Sequence, residues 1–297
     1  MSAVAVGLVA DRLWGEPPAT AHPVVAFGRA MRRVERVLYR DARSAGVAHA
    51  LVGVGIGVAA GRLVGSTAVA TWVAVAGRAL GTAASDVGAA LEAGDLDRAQ
   101  SLLPALVGRD PSSLDEKGIA RAVVEPLAEN TVDAVVAPAL WAAVAGAPGA
   151  LGYRAVNTLD AMVGHRSARY ASYGWASARL DDAAGWVPAR VTAALVAAVR
   201  PRAAGAVWAA VRTQAPAHPS PNAGVAEAAF AAALGLRLGG ENRYGDRVEL
   251  RPLLGTGRPA EAGDIARAVS LSRDVTCACS VVISAISVRI TTRNARA

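Results

Sequence analysis

The sequence has few charged and few aromatic residues, which argues against an ordinary soluble domain. Charged residues make up 19% of its 297 residues and aromatic residues 4%, whereas hydrophobic residues make up 53%. Soluble domains contain about 25% charged residues. The mean hydropathy of +0.32 points the same way. Because most of the apolar residues are Ala, Val and Leu, the composition favours membrane helices, in which small side chains permit close contact.

Lysine and cysteine are also scarce. Lys117 is the only lysine among 31 basic residues, so the net charge of +7 comes from arginine, as a GC-rich coding bias would produce. No stretch interleaves basic residues with stacking aromatic residues, so no nucleic-acid partner is expected. Cys277 and Cys279 form a C-x-C pair without a second pair, which indicates small apolar side chains rather than a metal site.

Several familiar catalytic motifs are absent from the sequence. It contains no P-loop, no G-x-G-x-x-G that opens a helix after a strand, no H-E-x-x-H and no G-x-S-x-G. Any nucleotide chemistry must therefore use a less common kind of site.

Two segments, residues 47–76 and 134–153, are apolar enough to cross a membrane, which takes about 20 residues. Glycines recur at every fourth residue of the first segment and form a stripe that lets another helix approach: Gly53, Gly57, Gly61 and Gly65. Proline and glycine interrupt the second segment, which a helix bundle in lipid tolerates. Three weaker runs are each too short to span alone and predict half-spans, interfacial helices or buried helices: residues 3–10, 191–211 and 275–288. The predicted fold is all-α, a polytopic membrane helix bundle with amphipathic helices and polar loops.

A basic amphipathic helix is predicted just before the first apolar segment. Its apolar face carries Phe27, Met31, Val34 and Leu38, and its other face carries Arg29, Arg33, Arg36, Arg40 and Arg43. This pattern is typical of a helix that lies on an anionic, cytoplasmic membrane surface. A solvated charged helix face is the alternative.

The first group of candidate catalytic residues directly precedes the second apolar segment. Glu125, Glu129 and Asp133 are four residues apart and, in a helix, would stack on one face beside Asn130. Like charges at this spacing repel by roughly 0.2–0.5 kcal/mol per pair. A Mg²⁺ ion that carries nucleotide phosphates prefers carboxylate oxygens and would offset this repulsion. A solvated acidic face is the alternative here as well.

Further polar groups could contribute to a site. They are His22 before the basic helix, then Arg154, Asn157 and Asp160, then Arg179, Asp181 and Asp182, and finally His218, Asn222 and Glu227. Two of these groups have simpler interpretations. Arg179 and Asp182 could form an ordinary helical salt bridge, and a lone histidine before proline, such as His22, is more often structural than catalytic.

Six segments, taken in chain order, resemble the adenosylcobinamide-phosphate synthase family, CobD/CbiB. These segments are His22-Pro-Val-Val-x-x-Gly28-Arg29, Val107-Gly-Arg-Asp110, Glu125-x-x-x-Glu129-Asn130-x-x-Asp133, Tyr153-Arg-Ala-Val-Asn157-Thr-Leu-Asp160, Gly174-Trp-Ala-Ser-Ala-Arg-Leu-Asp181-Asp182 and His218-Pro-Ser-Pro-Asn222-Ala-Gly224. No single motif decides the matter, but six in the right order over residues 5–270 are specific.

The resemblance implies a multi-pass protein of the cell membrane that acts in cobalamin biosynthesis. It implies ATP-dependent amide formation between the free propionate of adenosylcobyric acid and (R)-1-amino-2-propanol or its O-phosphate. Since a carboxylate is a poor acyl donor, ATP would convert it to an acyl phosphate that the amine attacks. The ligands implied are ATP, Mg²⁺, the corrinoid, the aminopropanol substrate and membrane lipid, and the chain could form an oligomer.

Within this reaction, residue chemistry suggests three sets of roles. The predicted catalytic residues are Glu125, Glu129, Asn130, Asp133 and Asp160. The predicted substrate-binding residues are His22, Arg109, Asn157, Arg179, Asp181 and Asn222, and the predicted metal ligands are Glu129, Asp133 and Asp182. Arginines such as Arg109, Arg154 and Arg179 would neutralise phosphate charge.

Three features depart from the family pattern. Pro126 stands where a small hydroxyl residue is common, and Glu16 stands where a Gly-Asp-Pro turn would carry Asp. The tail from Thr276 does not resemble a family C-terminus, so we predict a family domain over residues 1–275 and an atypical tail over residues 276–297. The alternative function is a corrinoid-binding transporter or scaffold without catalysis. The clustered carboxylates argue against it, because a carrier needs no phosphate–metal site.

Overall fold

The protein is described by a computed structural model that covers residues 1–18, 20, 22–108, 111–112, 114–165, 167–244 and 247–294. Its α-helices are α1 (Ala3–Trp14), α2 (Pro23–Leu38), α3 (Arg43–Val64), α4 (Thr67–Ala74), α5 (Gly77–Glu92), α6 (Leu96–Leu102), α7 (Glu116–Thr131), α8 (Ala137–Leu159), α9 (Trp175–Val199), α10 (Ala204–Thr213), α11 (Ala223–Leu234) and α12 (Ala262–Asn294). The strands are β1 (Leu236–Tyr244), β2 (Arg247–Leu254) and β3 (Arg258–Pro259). The predicted helical fold class is confirmed.

The strands form a small sheet that the sequence pattern did not predict. Their order is β2-β1-β3, with β1 antiparallel to β2 and parallel to β3. Leu236, Leu238 and Leu254 are fully buried. These leucines are separated by arginine and glycine and form no long alternating run, so the local sequence gives only a weak strand signal.

The chain folds into two compact units. Unit 1 comprises Met1–Ala76, Asp133–Pro188 and Ser280–Ala297, and unit 2 comprises Gly77–Val132 and Ala189–Cys279. Unit 1 therefore contains α1 to α4, α8 and the first part of α9. Unit 2 contains α5 to α7, α10, α11 and the sheet.

The glycine stripe of α3 is the surface on which α8 packs in unit 1. A Cβ atom on Gly57 would lie 2.7 Å from the Ala155 Cβ and 2.7 Å from the Leu151 carbonyl oxygen. Gly53 meets Leu159 and Gly61 meets Ala147 in the same way, so the two helices run antiparallel. The predicted close approach is confirmed at three of the four glycines: Gly53, Gly57 and Gly61.

The fourth glycine of the stripe has a different function. Gly65 ends α3 in the left-handed conformation, with φ of 65°, and its backbone N–H donates to the Gly61 carbonyl. Only glycine adopts this conformation without steric cost.

Helix α8 is interrupted where the sequence places glycine and proline. Ala145 and Gly146 leave the helical conformation, and Pro148 follows inside the next turn. Proline cannot donate the backbone hydrogen bond of a helix and displaces the preceding turn, so the interruption has a local cause. In α7, by contrast, Pro126 lies inside a helix that continues to Thr131.

Four segments of the described chain are helical, long and apolar enough to cross a membrane. They are Arg43–Val64, Glu116–Gly164, Trp175–Val199 and Ala262–Val288. The first two segments contain most of the predicted span 47–76 and all of the predicted span 134–153. Trp175–Val199 contains residues 191–199 of the run 191–211, whereas Ala262–Val288 contains the whole run 275–288. Both segments reach spanning length because α9 and α12 begin well upstream of those runs. The predicted division at residue 276 falls inside α12 and stays a prediction.

Candidate functional site

Several predicted site residues meet in unit 1, at the junction of α8 and α9. We call this group the Asn157 cluster, and its members are Asp133, Tyr153, Arg154, Asn157, Asp160 and Asp181. The Asn157 amide donates to the Asp181 carboxylate at 3.3 Å. Arg154 donates to the Asn157 amide oxygen at 3.5 Å, and the Tyr153 hydroxyl donates to Asp133 at 3.3 Å.

The helices explain why these side chains meet. Tyr153 and Asn157 are one helical turn apart near the end of α8, so they lie on the same face. A π-helical stretch, Asp160–Gly164, follows directly. Such stretches are frequent at functional sites because they reorient side chains.

The cluster concentrates negative charge around one guanidinium group. Asp160 and Asp182 lie close enough to Asp181 to repel its charge. Arg154 is attracted electrostatically by Glu16 and Asp133. Its Nε atom is buried and has no hydrogen-bond partner among the described residues. Arg154 therefore retains a donor for one more anionic group.

His22 belongs to the surroundings of this cluster. It is buried, its Nδ1 atom accepts from the Val24 backbone N–H at 3.1 Å, and it thereby caps α2. Its Nε2 atom lies 3.0 Å from the carboxylate of Glu16. Because Glu16 also interacts with Arg154, the N-terminal motif connects to the Asn157 cluster. The structural interpretation of His22 is thus supported by its capping contact.

Arg179 and Asp182 form the ordinary helical ion pair that was the simpler alternative. Their closest charged atoms are 3.7 Å apart at i,i+3 spacing, and Arg179 is exposed. The roles predicted for them, substrate binding for Arg179 and metal binding for Asp182, stay predictions.

A second group of polar residues lies in unit 2, between the loop before α11 and the sheet. We call it the His218 cluster, and its members are Arg190, His218, Asn222, Glu227 and Arg251. The Nδ1 atom of His218 accepts from the Ser220 backbone N–H at 3.1 Å. Its Nε2 atom lies 3.6 Å from Glu227 and 3.4 Å from Arg251.

The environment of His218 favours the neutral imidazole. Burial lowers the pKa of His218 below its ordinary value of 6.5, and the nearby charge of Arg251 lowers it further, while a hydrogen bond to the Ser220 backbone and the charge of Glu125 oppose the shift. Gly224 is required beside the ring, because a Cβ atom there would lie 2.4 Å from the His218 Cβ. Arg190 donates to the Asn222 side-chain oxygen at 3.4 Å, so Asn222 belongs to the same network.

The three acids predicted to stack on one face have different environments. Glu125 is buried and accepts from the Gly239 backbone N–H of β1 at 2.9 Å, whereas Glu129 is exposed. Asn130 donates to the Pro126 carbonyl at 2.9 Å. The helix changes to a π-helical stretch at Val132–Val136, so the uniform α-helical spacing assumed for Asp133 does not hold. The catalytic roles of these residues stay predictions.

The predicted magnesium ion would need carboxylate ligands. Among the described residues, no group of three or more His, Cys, Asp or Glu is arranged to hold a metal ion. Mg²⁺ that arrives with nucleotide phosphates needs only one or two protein carboxylates. Asp133 and Asp160 of the Asn157 cluster are two carboxylates and would meet this number. Arg109, which was predicted to bind substrate, lies outside the described residues.

The family profile described as CobD/Cbib protein matches residues 4–272. The chain belongs to this family.

Curated relatives agree with this assignment over nearly the whole chain. Cobalamin biosynthesis protein CobD of Mycobacterium tuberculosis is 48% identical over 292 residues, which cover 94% of this chain and 93% of that protein. The proteins of the same name from Rhodobacter capsulatus and Chromobacterium violaceum are 40% and 42% identical over 97% and 90% of this chain and the same shares of their own lengths. No solved structure matches the chain significantly. This CobD/Cbib family member is therefore a cobalamin biosynthesis enzyme.

Two features of the clusters were missed from the sequence. Tyr153 stands within a family motif, and its spacing of four residues from Asn157 was the available signal for its place in the cluster. Arg251 had no local signal, because β2 brings it to His218 only through the folding of the sheet.

Proposed function

We propose that the chain catalyses ATP-dependent amide formation between the free propionate of adenosylcobyric acid and (R)-1-amino-2-propanol or its O-phosphate. The product would be adenosylcobinamide or its phosphate, and the enzyme would act as a multi-pass protein of the cell membrane. Membership of the CobD/Cbib family supports the pathway. The Asn157 cluster supports the chemistry.

The observation that carries the proposal is the position of Arg154. Its buried Nε donor lacks a partner among the described residues, while Asp133 and Glu16 balance its charge. A guanidinium group binds carboxylate and phosphate oxygens through paired donors. Arg154 would therefore hold the propionate or the phosphate that activates it, and would stabilise negative charge that develops in the transition state.

The acids of the cluster would handle the proton of the amine. The ammonium form of the aminopropanol must lose a proton before its nitrogen can attack the acyl carbon. The Asn157 amide donates to Asp181 at 3.3 Å and orients its carboxylate. A carboxylate held in a fixed orientation can accept this proton, so Asp181 would be the general base.

Asp133 and Asp160 would hold the magnesium ion that accompanies the nucleotide. The ion would supply charge neutralisation at the phosphates. Asp133 accepts from the Tyr153 hydroxyl at 3.3 Å, which orients its carboxylate. This assignment uses two carboxylates, the number that such a site commonly needs.

The experiment combines purified protein with growth of a deletion strain. Wild-type protein with adenosylcobyric acid, either amine and MgATP should form the amide, as followed by liquid chromatography and mass spectrometry. The deletion strain should grow on cobinamide but not on cobyric acid. Growth on both would reject the synthase. Corrinoid binding by pure protein without amide formation from either amine would instead support the transporter or scaffold.

A further inference from the structure

The outward face of α2 carries a dense group of arginines that the proposed reaction does not use. A groove of about 460 Å³ runs along it, lined by Arg29, Arg32, Arg33, Glu35, Arg36 and Arg169. Glu35 is the acidic member of this lining and is 8% exposed. Its carboxylate accepts from Arg169 at 3.0 Å and from the Tyr170 hydroxyl at 2.9 Å. The exposed surface of the groove is therefore strongly positive.

The apolar face of α2 packs in part against the protein itself. Met31 is fully buried, and a Cβ atom on Gly28 would lie 3.9 Å from the sulfur of Met162. Phe27, Val34 and Leu38 are half-buried, so the protein covers this face only in part. The arginine face is exposed, and its positive charge favours an anionic partner.

The position of α2 places these arginines at a membrane boundary. Arg43 begins the candidate span α3, and Trp175 begins the candidate span α9. The Arg43 guanidinium lies over the Trp175 ring, 5.2 Å from its centre, so both spans begin at the same level of unit 1. Arg169 lies over the Tyr39 ring at 4.0 Å. Tyrosine and tryptophan concentrate at the level of lipid headgroups.

We propose that the α2 arginine groove binds the phosphodiester headgroups of anionic phospholipids. Arginine donates paired hydrogen bonds to phosphate oxygens, and each basic residue near an anionic surface contributes roughly 1 kcal/mol to binding. Basic residues beside a span concentrate on the cytoplasmic side, so the groove faces the cytoplasmic leaflet. The antiparallel packing of α8 on α3 places Leu159 against Gly53, near the middle of α3. The proposal does not rest on the enzymatic reaction.

The test measures thermal unfolding of the full-length protein in a zwitterionic detergent. The probes are short-chain phosphatidylglycerol, short-chain phosphatidylcholine and inorganic phosphate. We expect phosphatidylglycerol alone to raise the melting temperature of the wild type. The variant Arg29→Gln/Arg33→Gln/Arg36→Gln should bind phosphatidylglycerol at least about tenfold more weakly. The triple arginine-to-lysine variant, which keeps the charge, should retain most of the binding.

A matched control removes the same charge elsewhere. Arg98, Arg202 and Arg212 are exposed arginines of unit 2, and their triple change to glutamine should leave the response to phosphatidylglycerol intact. An equal loss in both glutamine triples would overturn the proposal, because only net charge would then matter. A full response to phosphate alone would overturn the lipid as ligand. Absence of any response of the wild type to phosphatidylglycerol would overturn the site.

Discussion

The side-chain amide of Asn157 donates to the carboxylate of Asp181 at 3.3 Å and thereby joins α8 to α9. The two residues are 24 positions apart in the chain and belong to two separate sequence motifs. Arg154 donates in turn to the Asn157 oxygen at 3.5 Å. One amide therefore contacts both the proposed base, Asp181, and the proposed anion-binding group, Arg154, so its loss should affect both.

We expect Asp181→Asn to lower turnover by roughly a hundredfold or more, because the variant lacks the proposed proton acceptor. Asn157→Leu should lower it by a similar factor, and the double variant should be little worse than either single variant, since the two residues act together. Rates of amide formation at saturating substrate would measure this. Asp86→Asn, on an exposed face of α5, is the control. Additive losses in the double variant would contradict the shared role.

Variants of Glu129 and Asp133 distinguish between two interpretations, a solvated acidic face and a catalytic site around Asn157. Asp133→Asn should lower turnover at saturating MgATP by roughly a hundredfold, because Asp133 lies in the cluster. Glu129→Gln tests the predicted metal role of an exposed carboxylate. The amount of folded protein recovered in the membrane should barely change in either variant, since both substitutions keep the side-chain shape. Normal turnover in both would show that these acids are a solvated face.

Gly57 and Gly55 provide a matched test of packing between α3 and α8. Gly57→Ala would place a methyl group 2.7 Å from Ala155 and should destabilise the protein by about 1–3 kcal/mol. A Cβ atom on Gly55 meets nothing within 4 Å, so Gly55→Ala should be neutral or stabilising. Melting temperature in detergent would measure both. A loss at Gly55 as large as that at Gly57 would mean that helix–helix contact is not the cause.

Stability should depend on pH through His218. Its pKa in the folded protein is lower than the ordinary value of 6.5 that applies to the unfolded chain. At a pH between these two pKa values, the unfolded chain therefore binds more protons than the folded protein. The free energy of unfolding should therefore decrease as pH falls below about 6.5. Glu125, Glu227 and Arg251 are the charged groups near the ring. Unfolding measured from pH 8 to pH 5 should depend less on pH in His218→Gln, whereas His165→Gln, at an exposed position, should behave as wild type.

The two ends of α3 should be labelled from opposite sides of the membrane. The helix has 22 residues and is therefore about 33 Å long, enough to cross the hydrocarbon core. In a cysteine-free background, Arg33→Cys, in α2 shortly before α3 begins, should react with an impermeant maleimide in inverted vesicles. Leu63→Cys, near the end of α3, should react in right-side-out vesicles. Labelling of both from one side would exclude a spanning α3.

The sequence alone determined the class of fold, the family and the packing surface of α3. Apolar composition and a glycine at every fourth residue are local properties, and a helix converts that spacing directly into a stripe. Gly53, Gly57 and Gly61 therefore had a predictable function. The motif order identified the family because it requires only residue identity. The length of α9 and α12 was underestimated, since charged residues interrupt runs that the helices nevertheless continue.

The tertiary structure decided which polar residues meet. Glu125, Glu129 and Asp133 share a sequence spacing, yet Glu125 contacts β1, Glu129 is exposed and Asp133 accepts from Tyr153. Spacing describes a uniform helix, whereas the π-helical stretch at Val132–Val136 and the burial of each side chain depend on its neighbours. Asn157 and Asp181, and likewise His218 and Arg251, come together through contacts between distant parts of the chain. Such contacts are set by the packing of whole helices and strands, which no local pattern contains.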